Sequence, residues 1–181
     1  MKGVVFNLLE DVVTRAHGAD VWDDLVDAAG VSGAYTSLGS YPDSEMLALV
    51  AAASEALKVP PNDVLRWFGK ESMPLLAERY PVFFEPHKET RDFIISVNSI
   101  IHPEVRKVYP GADVPVFEFG QSEAGDLMMT YRSHRKLCAL AEGFAQGAAA
   151  QFSETVAFEH SKCMHDGHDA CVISMNFQRL A

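Results

Sequence analysis

The hydrophobic period of this chain changes once, and that change fixes the fold class. Upstream, apolar residues recur at three and four, the spacing of a one-sided helix; downstream, short runs alternate as strands do. Val5, Leu8, Leu9, Val12 and Ala16 predict a helix from Gly3 to His17 that Gly18 can end. Val21, Trp22, Leu25, Ala28 and Ala29 predict a second, stopped by Gly30. Tyr41-Pro-Asp-Ser-Glu opens a third, and Pro60-Pro-Asn-Asp breaks it and opens a fourth. A long helical segment follows from about Lys88 to Tyr109, in which Pro103 predicts a kink or a restart with the proline in a first turn. Strand-like runs then appear at 115–120, 126–131, 154–160 and 170–177, with a helical stretch from His134 to about Gln151 between the second and third. The reading is α+β in a single domain: a helical N-terminal half, and a C-terminal half built on an antiparallel sheet with helices against it.

Composition removes several function classes. A formal net charge of −10 with no basic stripe argues against a nucleic-acid partner. The apolar stretches fall short of the ~18–20 residues that span a bilayer, and acids enter the N-terminus too early for a secretory signal. Three cysteines, an odd number, do not suggest a disulfide framework. A reduced, soluble, cytoplasmic protein is expected, with no membrane contact. No P-loop, G-x-S-x-G or kinase set occurs, so an enzyme is not expected.

Three constellations could carry chemistry. In an extended Tyr131-Arg-Ser133-His-Arg135, alternate side chains would present a phenol, a hydroxyl and a guanidinium together, a donor set for an anion with more than one carboxylate. A polar strand end with Arg135 paired to a nearby acid accounts for the same residues. His102, beside an apolar stripe, is either a boundary histidine or an axial ligand presented to a metal cofactor. Cys138, and His160-x-x-Cys163 with Cys171 across a short hairpin, fit tetrahedral S₃N zinc. His165 and His168 compete for the same role, and buried free cysteines are the plain alternative.

Haem has an iron that needs an axial imidazole and two propionates that need donors, and the first two constellations supply both. With Met1-x-Gly3-x-Val5, His102, Tyr109-Pro-Gly, Pro115 and Tyr131-x-Ser133-x-Arg135, residues 1 to about 178 resemble the bacterial haem nitric oxide/oxygen-binding (H-NOX) domains, similar to the haem domain of soluble guanylate cyclase. The resemblance implies haem b between a distal helical subdomain (about 1–60) and a proximal one (about 61–181). It implies that His102 ligates the iron and that Tyr131, Ser133 and Arg135 bind the propionates. Pro115 would hold the porphyrin non-planar, while Pro103 lies outside the matched pattern. Some members similarly carry a zinc site that Cys138, His160, Cys163 and Cys171 match one by one.

Oxygen binders of the family carry a tyrosine in the helix after the Y-x-S-x-R motif; here that stretch is Leu137-Cys-Ala-Leu-Ala-Glu-Gly-Phe. With Val5, Leu9, Leu140 and Phe144 as apolar walls, a dry, donor-free pocket is expected, which takes nitric oxide, binds carbon monoxide weakly and excludes oxygen. Nitric oxide weakens the trans bond to His102, and the signal passes to a separate partner: a sensor histidine kinase or a cyclic-di-GMP synthase or phosphodiesterase. A zinc-thiol redox sensor with haem secondary is the leading rival, and a peroxidase-like activity at His102 the weaker one.

Overall fold

Helices come first, as the periodicity requires, in a computed structural model that describes residues 1–180. Helix α1 (Gly3–His17) and α2 (Ala19–Ala29) share Gly18 as the break between them, and α2 ends on Gly30 in the left-handed region that glycine enters without strain. Helix α3 (Asp43–Leu57) starts behind Pro42 with Asp43 and Glu45 in its first turn, where the helix dipole favours acids. Helix α4 (Pro61–Arg79) begins with proline at a position whose missing N–H costs nothing.

The segment expected to kink at Pro103 does so in a specific way. Helix α5 (Thr90–Ser96) widens into a π-helical turn over Val97–Ile101, and α6 (His102–Val108) restarts with Pro103 in its first turn. The wider turn accommodates the donor and the space that proline takes from a regular helix. His102 keeps ordinary helical dihedrals (φ −63°, ψ −38°) despite preceding a proline.

Strands β1 (Val116–Gln121), β2 (Leu127–Arg132), β3 (Glu154–Lys162) and β4 (Cys171–Arg179) form one antiparallel sheet in the order β1-β2-β4-β3. Helix α7 (Cys138–Gln151) starts four residues later than the spacing predicts. Lys136 takes a left-handed φ of 52°, which a helix cannot contain, and the Leu137 N–H is spent on the Tyr131 hydroxyl at 3.0 Å. Residues 133–137 are therefore a turn.

Helix α7 is the spine against which both halves pack. One buried cluster joins helices α1 through α4 with Leu137 of the turn and Ala139 and Leu140 of α7; the other joins Met73, Phe93 and Ile94 with the inner face of the sheet and Cys138, Ala145 and Ala148. Helices α4 and α7 meet backbone to backbone: a Cβ on Gly69 would lie 2.6 Å from the Leu140 carbonyl oxygen, and one on Gly143 would collide with the Arg66 carbonyl. Only glycine allows that approach. Among the described residues no helix is long and apolar enough to cross a membrane.

Candidate functional site

His102 lies on the first turn of α6, half-buried, with its ring stacked on Phe117 of β1 (centroids 5.6 Å apart, planes 19° apart). Phe117 pairs directly with Tyr131 in the β1–β2 ladder, and their rings lie 5.7 Å apart. The sheet thus carries an unbroken aromatic path from the imidazole to the Y-x-S-x-R motif. Burial, helped by the cationic Arg106 one turn on, pulls the His102 pKa down to about 4, so the ring is neutral with a lone pair free. Neither ring nitrogen takes part in a hydrogen bond among the described residues. A neutral, uncommitted imidazole on an apolar surface is what an iron ligand requires.

The motif itself does not present its donors by strand alternation. Only Tyr131 stands in β2; the strand ends at Arg132, and Ser133 and Arg135 belong to the turn that leads into α7. The Tyr131 hydroxyl accepts the Leu137 N–H, and burial raises its pKa. Arg135 is mostly buried and pairs with two acids: Nη1 donates to the Asp113 carbonyl at 2.8 Å and meets its carboxylate at 3.2 Å, while Nε lies 2.9 Å from Asp43 Oδ2. That second contact is off the N–H line, so Nε remains a buried donor without an aligned acceptor. The pairing with acids foreseen as the alternative is present, and it leaves one anion-directed donor unsatisfied.

Asp43 is a residue that the sequence did not mark. At the start of α3 it collects Arg135, His134 at 3.1 Å and the Met1 amino nitrogen at 2.7 Å. Burial opposes its ionisation, yet hydrogen bonds from the Met1 amine and His134, with the Arg135 cation beside it, outweigh it and hold the carboxyl down to about 2. The apolar residues expected around a haem fall on both sides of α7. Leu9 and Leu140 are buried in the first cluster, and Val5 packs against it. Phe144 touches both clusters, and half-buried Pro115 sits just ahead of β1.

The cysteine constellation closes. One ligand atom from each of Cys138, His160, Cys163 and Cys171 lies within 4.8 Å of the others. His165 and His168 are outside this group: both are exposed, and His165 Nε2 is bonded to the Lys136 carbonyl at 2.8 Å. A bulge after His160 shifts the β3–β4 register and turns the end of the hairpin toward the first turn of α7, where Cys138 waits. Burial pushes the Cys138 thiol far up, and the neighbouring Cys171 and Cys163 push the same way. Burial likewise raises Cys171. Two buried thiols that resist ionisation, crowded against a third, are a poor arrangement alone and a good one around a cation, which deprotonates a coordinating thiol.

Glu142 also escaped the sequence reading. It lies within the stretch expected to be donor-free and is buried, but it faces away from the apolar wall, bonded to Arg66 Nε at 2.7 Å and to His160 Nδ1 at 3.1 Å. A glutamate set among Ala139, Ala141 and Gly143 was the available signal, since a charge on an apolar helix needs partners. His160 Nε2, like Arg135 Nε, is buried with no hydrogen-bond partner. The two orphaned side-chain atoms of the described residues fall one at the Y-x-S-x-R turn and one at the cysteine cluster. The imidazole and the motif fit haem; the thiols and His160 fit zinc.

An α+β domain of this topology, with an uncommitted histidine joined through Phe117 to the Tyr131 motif, fits a haem-binding sensor domain. A family model described as Haem-NO-binding matches residues 2–160. The structure superposes on the H-NOX protein of S. oneidensis in its Fe(II)NO state with a TM-score of 0.91 and 31% identity, covering 99% of this chain and 100% of that one. The unliganded Fe(II) H-NOX protein of K. algicida matches at a TM-score of 0.86 and 27% identity, over 99% and 98% of the two chains. The IWP-051-bound H-NOX of Shewanella woodyi, in its Fe(II)CO state, matches at 0.80 and 31%, over 99% and 95%. The chain belongs to the haem-NO-binding (H-NOX) family of haem-based gas-sensor domains.

Proposed function

We propose that this domain holds haem b between α1 and the α6–sheet face, senses nitric oxide, and signals by releasing His102. The observation that carries this reading is the His102 imidazole: neutral, half-buried and bonded to nothing else. Bound haem supplies a ferrous iron that takes one protein ligand and one gas. His102 would be the protein ligand, and Ser133 and Arg135 of the turn, with Tyr131 near the end of β2, would hold the propionates. Val5, Leu9, Leu140 and Phe144 wall the gas side, with Pro115 against the ring. These walls offer no hydrogen-bond donor, which favours nitric oxide and carbon monoxide over oxygen, because bound oxygen carries partial negative charge and needs one.

His102 would tie α6 to the haem, and loss of that tie would free α6. The π-helical turn ahead of it and the glycine-free restart at Pro103 give that segment a joint at which to move. Arg135 is paired with Asp43 and Asp113, so a propionate that it held would be tied through it to α3 and to the loop before β1. The motion is read by a separate partner protein. Zinc at Cys138, His160, Cys163 and Cys171 is structural in this reading, since four protein ligands leave no open position.

A reduced optical spectrum with and without nitric oxide, together with metal analysis, tests it. The reading expects a ferrous Soret band that moves on nitric oxide, no stable oxygen complex in air, and one zinc per chain. Colourless protein after expression with ample porphyrin would overturn it.

A further inference from the structure

Among the described residues, Glu142 is the one buried carboxylate in contact with the thiol–imidazole cluster. It joins that cluster to a different helix. We propose that Glu142 is the positioning residue of the metal centre: it accepts the Nδ1 proton of His160 and so fixes the tautomer whose Nε2 lone pair points at Cys138, Cys163 and Cys171. The inference rests on the zinc reading above and goes beyond its four ligands.

The geometry runs in one line. Arg66 on α4 donates Nε to Glu142 Oε2 at 2.7 Å, and the other oxygen of that carboxylate, Oε1, lies 3.1 Å from His160 Nδ1. A guanidinium on one oxygen fixes the aim of the carboxylate and leaves its second oxygen as the acceptor that faces His160. His160 therefore carries its proton on Nδ1, and Nε2 is left as a buried acceptor with no hydrogen-bond partner among the described residues. A neutral imidazole in solution has no such fixed choice; here one carboxylate makes it. A metal-bound histidine whose second nitrogen donates to a carboxylate is held in register and made more basic.

The charges agree with this assignment. Three thiolates around a divalent cation leave one negative charge, and the Glu142–Arg66 pair beside them is neutral. Arg66 also holds Asp63 at 2.8 Å on the exposed side, which anchors the guanidinium from behind. The consequence for the fold is a second tie across the α4–α7 crossing. His160 on β3, Glu142 on α7 and Arg66 on α4 become one rigid unit when the centre is filled.

Two measurements separate the failure of this role from the failure of the centre itself. The first is zinc affinity by chelator competition on the haem-loaded chain, for wild type, Glu142→Gln and Arg66→Met. Loss of an outer-shell partner of a metal-bound histidine typically weakens affinity about 10–100-fold. That loss is expected for Glu142→Gln, with a smaller one for Arg66→Met. Equal affinity in wild type and Glu142→Gln would overturn the proposal while leaving zinc in place. The second is the His160 tautomer by long-range ¹H–¹⁵N NMR on reduced, chelator-treated protein, which needs no metal. Wild type is expected to show the proton on Nδ1, and Glu142→Ala to move it to Nε2 or to a mixture. A wild-type proton on Nε2 overturns the proposal directly. A wild type that binds no zinc, with the proton on Nδ1, instead removes the metal centre, and the positioning role falls with it. The Soret band and thermal midpoint of each variant report whether it is folded.

Discussion

Replacing Gly143 with alanine tests whether the α4–α7 crossing sets the stability of the whole domain. A Cβ there would lie 2.9 Å from the Arg66 carbonyl carbon and closer still to its oxygen, against an ordinary carbon–oxygen contact of about 3.3–3.6 Å. Both sides of the clash are backbone, so no rotamer change relieves it and the helices must part. Overpacking costs about 1–3 kcal/mol, and a backbone clash belongs at the upper end. Alanine returns about 1 kcal/mol through its better helix propensity. The net loss is about 2 kcal/mol, which in a domain of this size lowers Tm by about 4–8 °C. Gly120→Ala is the control, because a Cβ there meets nothing nearer than the Met128 Cβ at 4.0 Å. Its Tm should stay within about 2 °C of wild type. Thermal unfolding of the haem-loaded proteins by far-UV circular dichroism reads both. A Gly143→Ala protein that melts with wild type would refute the claim that this contact is rigid.

Three further outcomes follow from the site. Asp43→Asn removes a carboxylate whose folded pKa is depressed to about 2. Its contribution, about 1–2 kcal/mol after solvent screening, is therefore present above pH ~4 and lost as pH falls toward 2. Urea midpoints of wild type and variant should differ at pH 6 and converge in that window; a gap that persists at the lowest pH contradicts the assignment. Arg135→Ala should speed haem transfer to apomyoglobin about 10–100-fold, the loss of one charged hydrogen bond at about 1.5–3 kcal/mol, and an unchanged rate would detach Arg135 from the propionates. Leu140→Tyr places a phenol donor on the apolar wall and should give an oxygen complex in air that wild type lacks; if neither protein binds oxygen, a missing donor is not the cause of the exclusion.

The helices, the strands and the cysteine–histidine grouping were legible because each rests on short-range regularity. The stripe at 5, 8, 9 and 12 gave α1, and the H-x-x-C spacing with Cys171 gave the cluster that the bulge after His160 completes. The partners that orient these groups were not legible. Arg66 and Glu142 are 76 positions apart, and His134 and Asp43 are 91 apart, so no local pattern couples them. The Y-x-S-x-R motif misled in one respect: alternation describes a strand, and this chain leaves β2 at Arg132 because the next residues are drawn into a turn by Tyr131 and Lys136. The late start of α7 has the same cause.

The Soret position of the nitric oxide complex, compared between wild type and a His102→Gly variant loaded with haem in free imidazole, bears most directly on release of the proximal ligand. If His102 departs when nitric oxide binds, the two complexes have no protein bond to iron and their bands coincide. Bands that stay apart would mean that the imidazole remains attached and that the signal leaves by some other route.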